Sequence, residues 1–159
     1  MAARTLADEI KQTKPFRDKQ TEAALGLLRA ANILRRRAEA VSMAEGLSLQ
    51  QYNILRILRG ARMPLPTMEI AERLVEQAPG ITRMVCGLEE RGLIKREQWQ
   101  GDRRQVLCQI SAAGLKALER LDASMDQLDS NCMGNLTQAQ LDQLIAFLAE
   151  IRDANREPE

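Results

Sequence analysis

The 159-residue sequence predicts a mainly α-helical protein carrying a small two- or three-stranded β element. Three observations predict it. Apolar residues recur at spacings of three and four through most of the chain. Hydroxyl, glycine and proline residues stand where such helices should start and stop. Only residues 93–99 and 104–110 change to a β-type pattern, and Gln100-Gly101-Asp102-Arg103 between them reads as a hairpin tip. The aromatics are few, 3% of the chain (Phe16, Tyr52, Trp99 and Phe147), which is too sparse for a platform that stacks single-stranded bases.

Each element has its own signals. Residues 5–12 suit a short helix that Pro15 separates from a much longer one. That longer helix, residues 18–44, carries Ala24, Leu27, Ala31, Leu34, Ala38 and Val41 as a narrow, small-residue stripe, with Gly46 as the stop. Ser48-x-x-Gln51 is a capping box opening a helix over 49–60 that is apolar on most sides, so it belongs in the centre of a core. Thr67 reads as the cap of a helix over 68–75. After a tight connection at Glu76-Gln77-Ala78, Pro79 fits the first position of a helix running to Arg91, closed by Gly92. Ser111 caps a helix over 112–133 with Leu115, Leu118, Leu121, Met125, Leu128 and Cys132 inward. Thr137-x-x-Gln140 opens the last helix, 137–154, whose apolar side is Leu141, Leu144, Ile145, Leu148 and Ile151.

Composition narrows the function. The chain has no histidine, which removes Ser-His-Asp and Cys-His catalysis and every imidazole metal site. Its three cysteines, Cys86, Cys108 and Cys132, form no C-x-x-C pair and fit a reducing compartment. No P-loop or G-x-S-x-G is present, so neither an enzyme nor a cofactor is expected. The N-terminus lacks a signal-peptide apolar run and no stretch suits a membrane span, which points to a cytoplasmic protein. The net charge of +1 hides an asymmetry: residues 1–46 sum to +3, residues 47–111 to +3 and residues 112–159 to −5. A polyanion would meet the basic part alone.

The middle segment has the order helix, tight turn, helix, hairpin. In the helix over 79–91, Ile81, Met84, Val85 and Leu88 share one sector. Pro79, Thr82, Arg83, Cys86 and Glu90 share the opposite one. Thr82 and Arg83 thus face outward near the helix start, where a recognition helix meets base edges and phosphates. Arg103 and Arg104 at the hairpin tip, with Lys95 and Arg96 at its base, suit phosphates or a minor groove.

These segments resemble the MarR (multiple antibiotic resistance regulator) family. The resemblance rests on Leu47 to Arg56, on Ile70-Ala71-Glu72-Arg73-Leu74, on Ile81-Thr82-Arg83-Met84-Val85 and on Leu88-Glu89-Glu90-Arg91-Gly92-Leu93-Ile94. It also rests on Asp102-Arg103-Arg104 and Ile110-Ser111-x-x-Gly114. It covers roughly residues 25–125. It implies a winged helix-turn-helix repressor that binds a pseudo-palindromic operator in double-stranded DNA as a homodimer. Residues 1–46 and 112–159 would be dimerisation helices and residues 47–111 the DNA-binding domain. Thr67, Pro79, Gly80, Thr82, Arg83, Arg91, Asp102, Arg103 and Arg104 would serve DNA binding. In that set Thr82 and Arg83 enter the major groove, Arg103 or Arg104 the minor groove, and Asp102 holds the wing by pairing with Arg104. The narrow stripes of the terminal helices independently call for a partner that one chain hardly supplies.

One departure is Cys86-Gly87, where the family commonly has Asp-Arg; it removes a basic residue and puts a glycine inside a helix. The resemblance also implies a small, often phenolic or otherwise anionic effector. Arg35, Arg36, Arg37 and Arg56 are conceivable carboxylate partners, or else solvated or interhelical charges. Cys86, on the outward sector beside Arg83, is a candidate redox or electrophile switch. Cys108 and Cys132 fall on apolar faces as small core residues. A helical dimerisation module that does not bind DNA is the remaining alternative.

Overall fold

The structure, a computed structural model, describes residues 4–76, 79–102 and 104–156. Helix α1 (Leu6–Glu9) is capped by Thr5 and precedes α2 (Lys19–Ser42), which Asp18 caps. A 3-10 turn (Met43–Glu45) ends at Gly46, in the left-handed region at φ 65°. The chain continues through α3 (Leu49–Ala61), β1 (Leu65–Pro66), α4 (Thr67–Arg73), α5 (Ile81–Glu90), β2 (Ile94–Gln98), β3 (Val106–Ile110), α6 (Ala112–Met133) and α7 (Gln138–Ala154).

The capping signals act as expected at three helix starts. Ser48 and Gln51 bond reciprocally at α3, Thr137 and Gln140 do so at α7, and the Ser111 hydroxyl accepts from the Gly114 N–H at α6. Each satisfies donors that an α-helix leaves unpaired at its first turn. Two other starts differ from expectation. Thr67 does not cap α4: the helix begins at Thr67 itself, with Pro66 before it, and the threonine hydroxyl turns toward the sheet. Pro79 lies outside α5. Gly80 precedes the helix at φ 90°, a left-handed conformation that only glycine holds without strain, so the helical run starts at Ile81. Gln77 and Ala78 of the tight connection lie outside the described residues.

The sheet has three antiparallel strands in the order β1-β3-β2. Leu65 pairs with Cys108, and Ile94 to Gln98 pair with Ile110 to Val106. β1 is two residues long and half proline, too short for a period-2 pattern to reveal it. As an edge strand it can include a residue without an N–H donor.

α3 is the centre of the core. Tyr52, Ile54, Leu55 and Leu58 are buried together with Leu47, Leu65, Ile70, Leu74, Val85, Leu88, Ile94 and Cys108, and with Leu118, Leu121 and Met125 of α6. Each such Leu or Ile gains roughly 1.5–3 kcal/mol from burial. Leu115 departs from the expected inward set: it is 37% exposed, and Gly114 and Ala117 take the buried positions instead. The reason is contact distance. A Cβ on Gly114 would lie 2.2 Å from the Leu93 carbonyl oxygen, so α6 starts against the chain that leaves α5 and tolerates no side chain there. Cys132 is half-buried, with Arg37 Nη1 3.6 Å from its sulfur, and is therefore not a core residue.

The terminal helices look different. α7 has no buried residue, and Ile145, Phe147 and Ile151 are largely exposed. Leu25, Leu27, Leu28 and Ile33 of α2 are exposed as well.

Candidate nucleic-acid interface

α5 lies on α3, α4 and β2 with Val85 and Leu88 fully buried and Ile81 and Met84 half-buried. That packing turns Thr82, Arg83 and Glu90 of the opposite sector outward. Thr82 and Arg83 are exposed on the first turn, beside exposed Pro79 and Gly80. The first-turn backbone N–H groups and the positive end of the helix dipole are at this same end. The surface therefore offers a hydroxyl, a guanidinium and amide donors in one place.

The hairpin forms the second part. Trp99 N–H donates to the Gln105 carbonyl and Gln105 N–H to the Asp102 carbonyl, at 3.0 and 2.9 Å, which closes the tip. The Asp102 carboxylate accepts from the Arg104 backbone N–H at 2.9 Å. The expected pairing of Asp102 with Arg104 is thus made through the main chain, leaving the exposed Arg104 side chain for a partner. The Trp99 ring lies over Gly101, where a Cβ would meet it at 2.9–3.1 Å. Arg103 lies outside the described residues. Of the basic residues at the hairpin base, Lys95 is exposed. Arg96 is turned inward, donating through Nη1 to Glu89 and to the Cys86 sulfur, both at 3.1 Å.

Three assigned residues are placed otherwise than expected, Cys86 against its helical-wheel sector and Thr67 and Arg91 against the DNA-binding role that the resemblance implies. Cys86 is half-buried against Arg96 of β2, not on the outward sector beside Arg83. Thr67 is half-buried, its hydroxyl 3.4 Å from the Val106 carbonyl and 3.6 Å from the Cys108 sulfur. Burial pushes the Cys108 thiol up, against a smaller opposite effect of the Thr67 hydroxyl. Arg91 reaches back from the end of α5 and donates to the Gly46 and Glu45 carbonyls at 2.8 and 3.0 Å. Its guanidinium is occupied within the fold.

Arg35 and Arg56 are not brought together. Arg35 and Arg36 line a groove of about 500 Å³ with Glu39, Met43, Leu49, Gln50 and Glu76. Within it Arg35 Nε is 3.9 Å from Glu76, and the Glu39 carboxylate accepts from the Leu49 N–H at 2.8 Å. Arg56 lines a separate hollow of about 200 Å³ with Asn53, Ile57, Arg73 and Val75, its guanidinium 5.7 Å from the Tyr52 ring centre. Sequence patterns did not reveal two bidentate ion pairs, Arg59 with Asp122 and Arg120 with Glu45, joining positions 63 and 75 residues apart. No local pattern announces such pairs. Among the described residues no helix is long and apolar enough to cross a membrane.

A helix-turn-helix whose second helix presents polar donors beside a basic hairpin is a winged helix-turn-helix, a DNA-binding module. Comparison with known proteins agrees. The MarR family profile matches residues 47–106. The chain is 34% identical to a MarR transcription factor from Planctomyces limnophilus, covering 85% of this chain and 98% of that one, with a TM-score of 0.66. It is 25% identical over 143 residues to the HTH-type transcriptional regulator FarR of Neisseria gonorrhoeae, covering 88% and 97% of the two chains. Its fold is also that of Bordetella bronchiseptica BpsR, whose DNA binding is regulated by 6-hydroxynicotinic acid, at 19% identity and a TM-score of 0.71 over 82% and 98%. The chain belongs to the MarR family and is a DNA-binding transcriptional regulator.

Proposed function

We propose that the protein is an effector-responsive repressor that acts by binding, not catalysis, in the cytoplasm. Two copies would join through residues 1–46 and 112–159 and read a pseudo-palindromic operator with residues 47–111. One observation carries the DNA-reading part: Thr82 and Arg83 are exposed on the first turn of α5, while Val85 and Leu88 of the same helix are buried. Arg83 and Thr82 serve the major groove. Arg104, with Arg103 beside it in sequence, serves the minor groove. Pro79 and Gly80 let the chain approach the phosphates. The exposed apolar residues of α2 and α7 support the homodimer, since a second copy would cover them. Fluorescence anisotropy on duplex from upstream of the protein's own gene tests this. Affinity should fall by orders of magnitude between ~50 and ~200 mM salt, as counterion release requires. Arg83→Ala should abolish preference over scrambled duplex. Salt-insensitive binding would reject the reading.

The effector would enter the groove at Arg35 and Arg36. A hydroxylated aromatic carboxylate, such as the acid that regulates BpsR, could take Arg35 from Glu76. That ion pair is half exposed on both sides and contributes little to stability, so exchange is cheap. Glu76 belongs to the turn between α4 and α5, so freeing it acts on the reading helix. Arg35→Ala should remove effector-driven DNA release without removing DNA binding.

A second reading, control through Cys86, is favoured by the Arg96 guanidinium 3.1 Å from its sulfur, a contact between α5 and β2 that a change at the sulfur would disturb. With a peroxide, the thiolate attacks one oxygen and the O–O bond breaks. Sulfenic acid forms and hydroxide or alkoxide leaves. Unchanged peroxide-driven release in Cys86→Ser would reject it.

A further inference from the structure

We infer that Arg91 is a positioning residue for operator recognition, the outer member of a strut that fixes the end of α5 to the end of α2 and to the body of α6. The inference rests on the DNA-reading assignment above and adds how that helix is held.

Arg91 stands at the C-cap of α5. The reading positions are at the other end, nine residues earlier for Thr82, or about 13 Å along the axis at 1.5 Å per residue. Arg91 is therefore away from the turn that meets bases, although the family resemblance implied a DNA contact. Its two terminal nitrogens donate to two successive carbonyls, Gly46 at 2.8 Å and Glu45 at 3.0 Å. Those carbonyls end the helical run formed by α2 and its 3-10 turn, where oxygens lack intrahelical donors and the dipole is negative. A planar guanidinium satisfies both at once; an ammonium meets such a pair with less fixed geometry.

The far side of the same residue is also held. The Glu45 carboxylate takes two bonds from Arg120 of α6, at 2.8 and 2.6 Å, and that contact keeps its carboxyl below the usual range. Glu45 thus joins Arg91 through its carbonyl and Arg120 through its carboxylate. The reading helix, the end of α2 and α6 meet at one residue. Glu39, Ala40 and Met43 of the groove stand within six residues before it, so a shift of the α2 end passes directly to α5.

The test uses the full-length protein and two duplexes: one selected from a random pool by the wild type, and its scrambled version. Wild-type binding that does not discriminate between them would overturn the DNA-reading assignment itself, apart from the strut. Given discrimination, Arg91→Ala should lower affinity for the selected duplex about tenfold. Affinity for the scrambled duplex and its salt slope should stay unchanged. A phosphate contact behaves differently: both duplexes weaken together and the slope falls by about one per contact. Arg120→Ala, on another helix, should give the same selective loss, and the double variant should lose little more than either alone. Equal weakening on both duplexes, no weakening, or full additivity would overturn the strut. If Arg91→Ala melts below the assay temperature, Arg91→Lys, which keeps the charge and a donor, serves instead: partial selective loss supports the strut, and wild-type behaviour overturns it.

Discussion

α3 and α7 are both capping-box helices with a recurrent apolar side, yet they are in opposite situations. α3 buries Tyr52, Ile54, Leu55 and Leu58 and packs against α2, α4, α5, α6 and β3. α7 buries nothing and leaves Ile145, Phe147 and Ile151 open. Similar local sequence signals thus produce the same helix in both places, while packing distinguishes them. The middle of the chain completes its own core, whereas the ends carry apolar surface that stands exposed among the described residues.

That comparison can be broken at its strongest point. Leu55→Ala should cost about 2–5 kcal/mol, through lost burial plus a cavity, and the loss should not depend on protein concentration. Chemical denaturation at two concentrations measures both. In α7, the pair Ile145→Asp and Phe147→Asp should shift the oligomeric state instead. Sedimentation should show a dimer becoming a monomer, with binding weakened by about 2 kcal/mol or more if these are interface anchors. A monomeric wild type would end the distinction between the two regions.

Smaller changes sharpen it. Gly114→Ala should destabilise by about 1–3 kcal/mol, because its Cβ would lie 2.2 Å from a main-chain oxygen that cannot move aside freely. Gly87→Ala should act the other way. A Cβ there meets only the Gln51 side-chain nitrogen at 3.9 Å, so the added methyl should raise stability by about 0.5–1 kcal/mol. The Cys86-Gly87 departure thus leaves room in α5 for a side chain. Acid titration gives the smallest effect. Arg120 holds the Glu45 carboxyl below its usual 4.5, so the contribution is present above that pH. It is lost as pH falls through the lowered folded-state value, and Glu45→Gln should flatten that part of the profile.

The features written in adjacent residues were legible. Ser48 with Gln51, Thr137 with Gln140 and Ser111 placed three helix starts, and the sector of Ile81, Met84, Val85 and Leu88 gave the buried side of α5. Features decided by distant partners were not. The direction taken by Arg91 depends on carbonyls 45 and 46 residues earlier in the chain. Cys86 meets Arg96 only because β2 folds back beside α5, and Leu115 is exposed because Gly114 must meet Leu93. The DNA-facing set separates along the same line: Thr82 and Arg83 are exposed where local periodicity put them, while Thr67 and Arg91 are drawn into the fold by contacts that periodicity does not contain.

The single tryptophan of the chain is at the hairpin tip, its indole over Gly101 and 44% exposed. All indole emission from this protein therefore originates at one place, a few residues from Arg104. An unlabelled sample carries its own optical probe of that tip. Quenching by acrylamide or a change in emission on adding duplex would track the wing as it enters DNA, with no dye attached and no residue replaced.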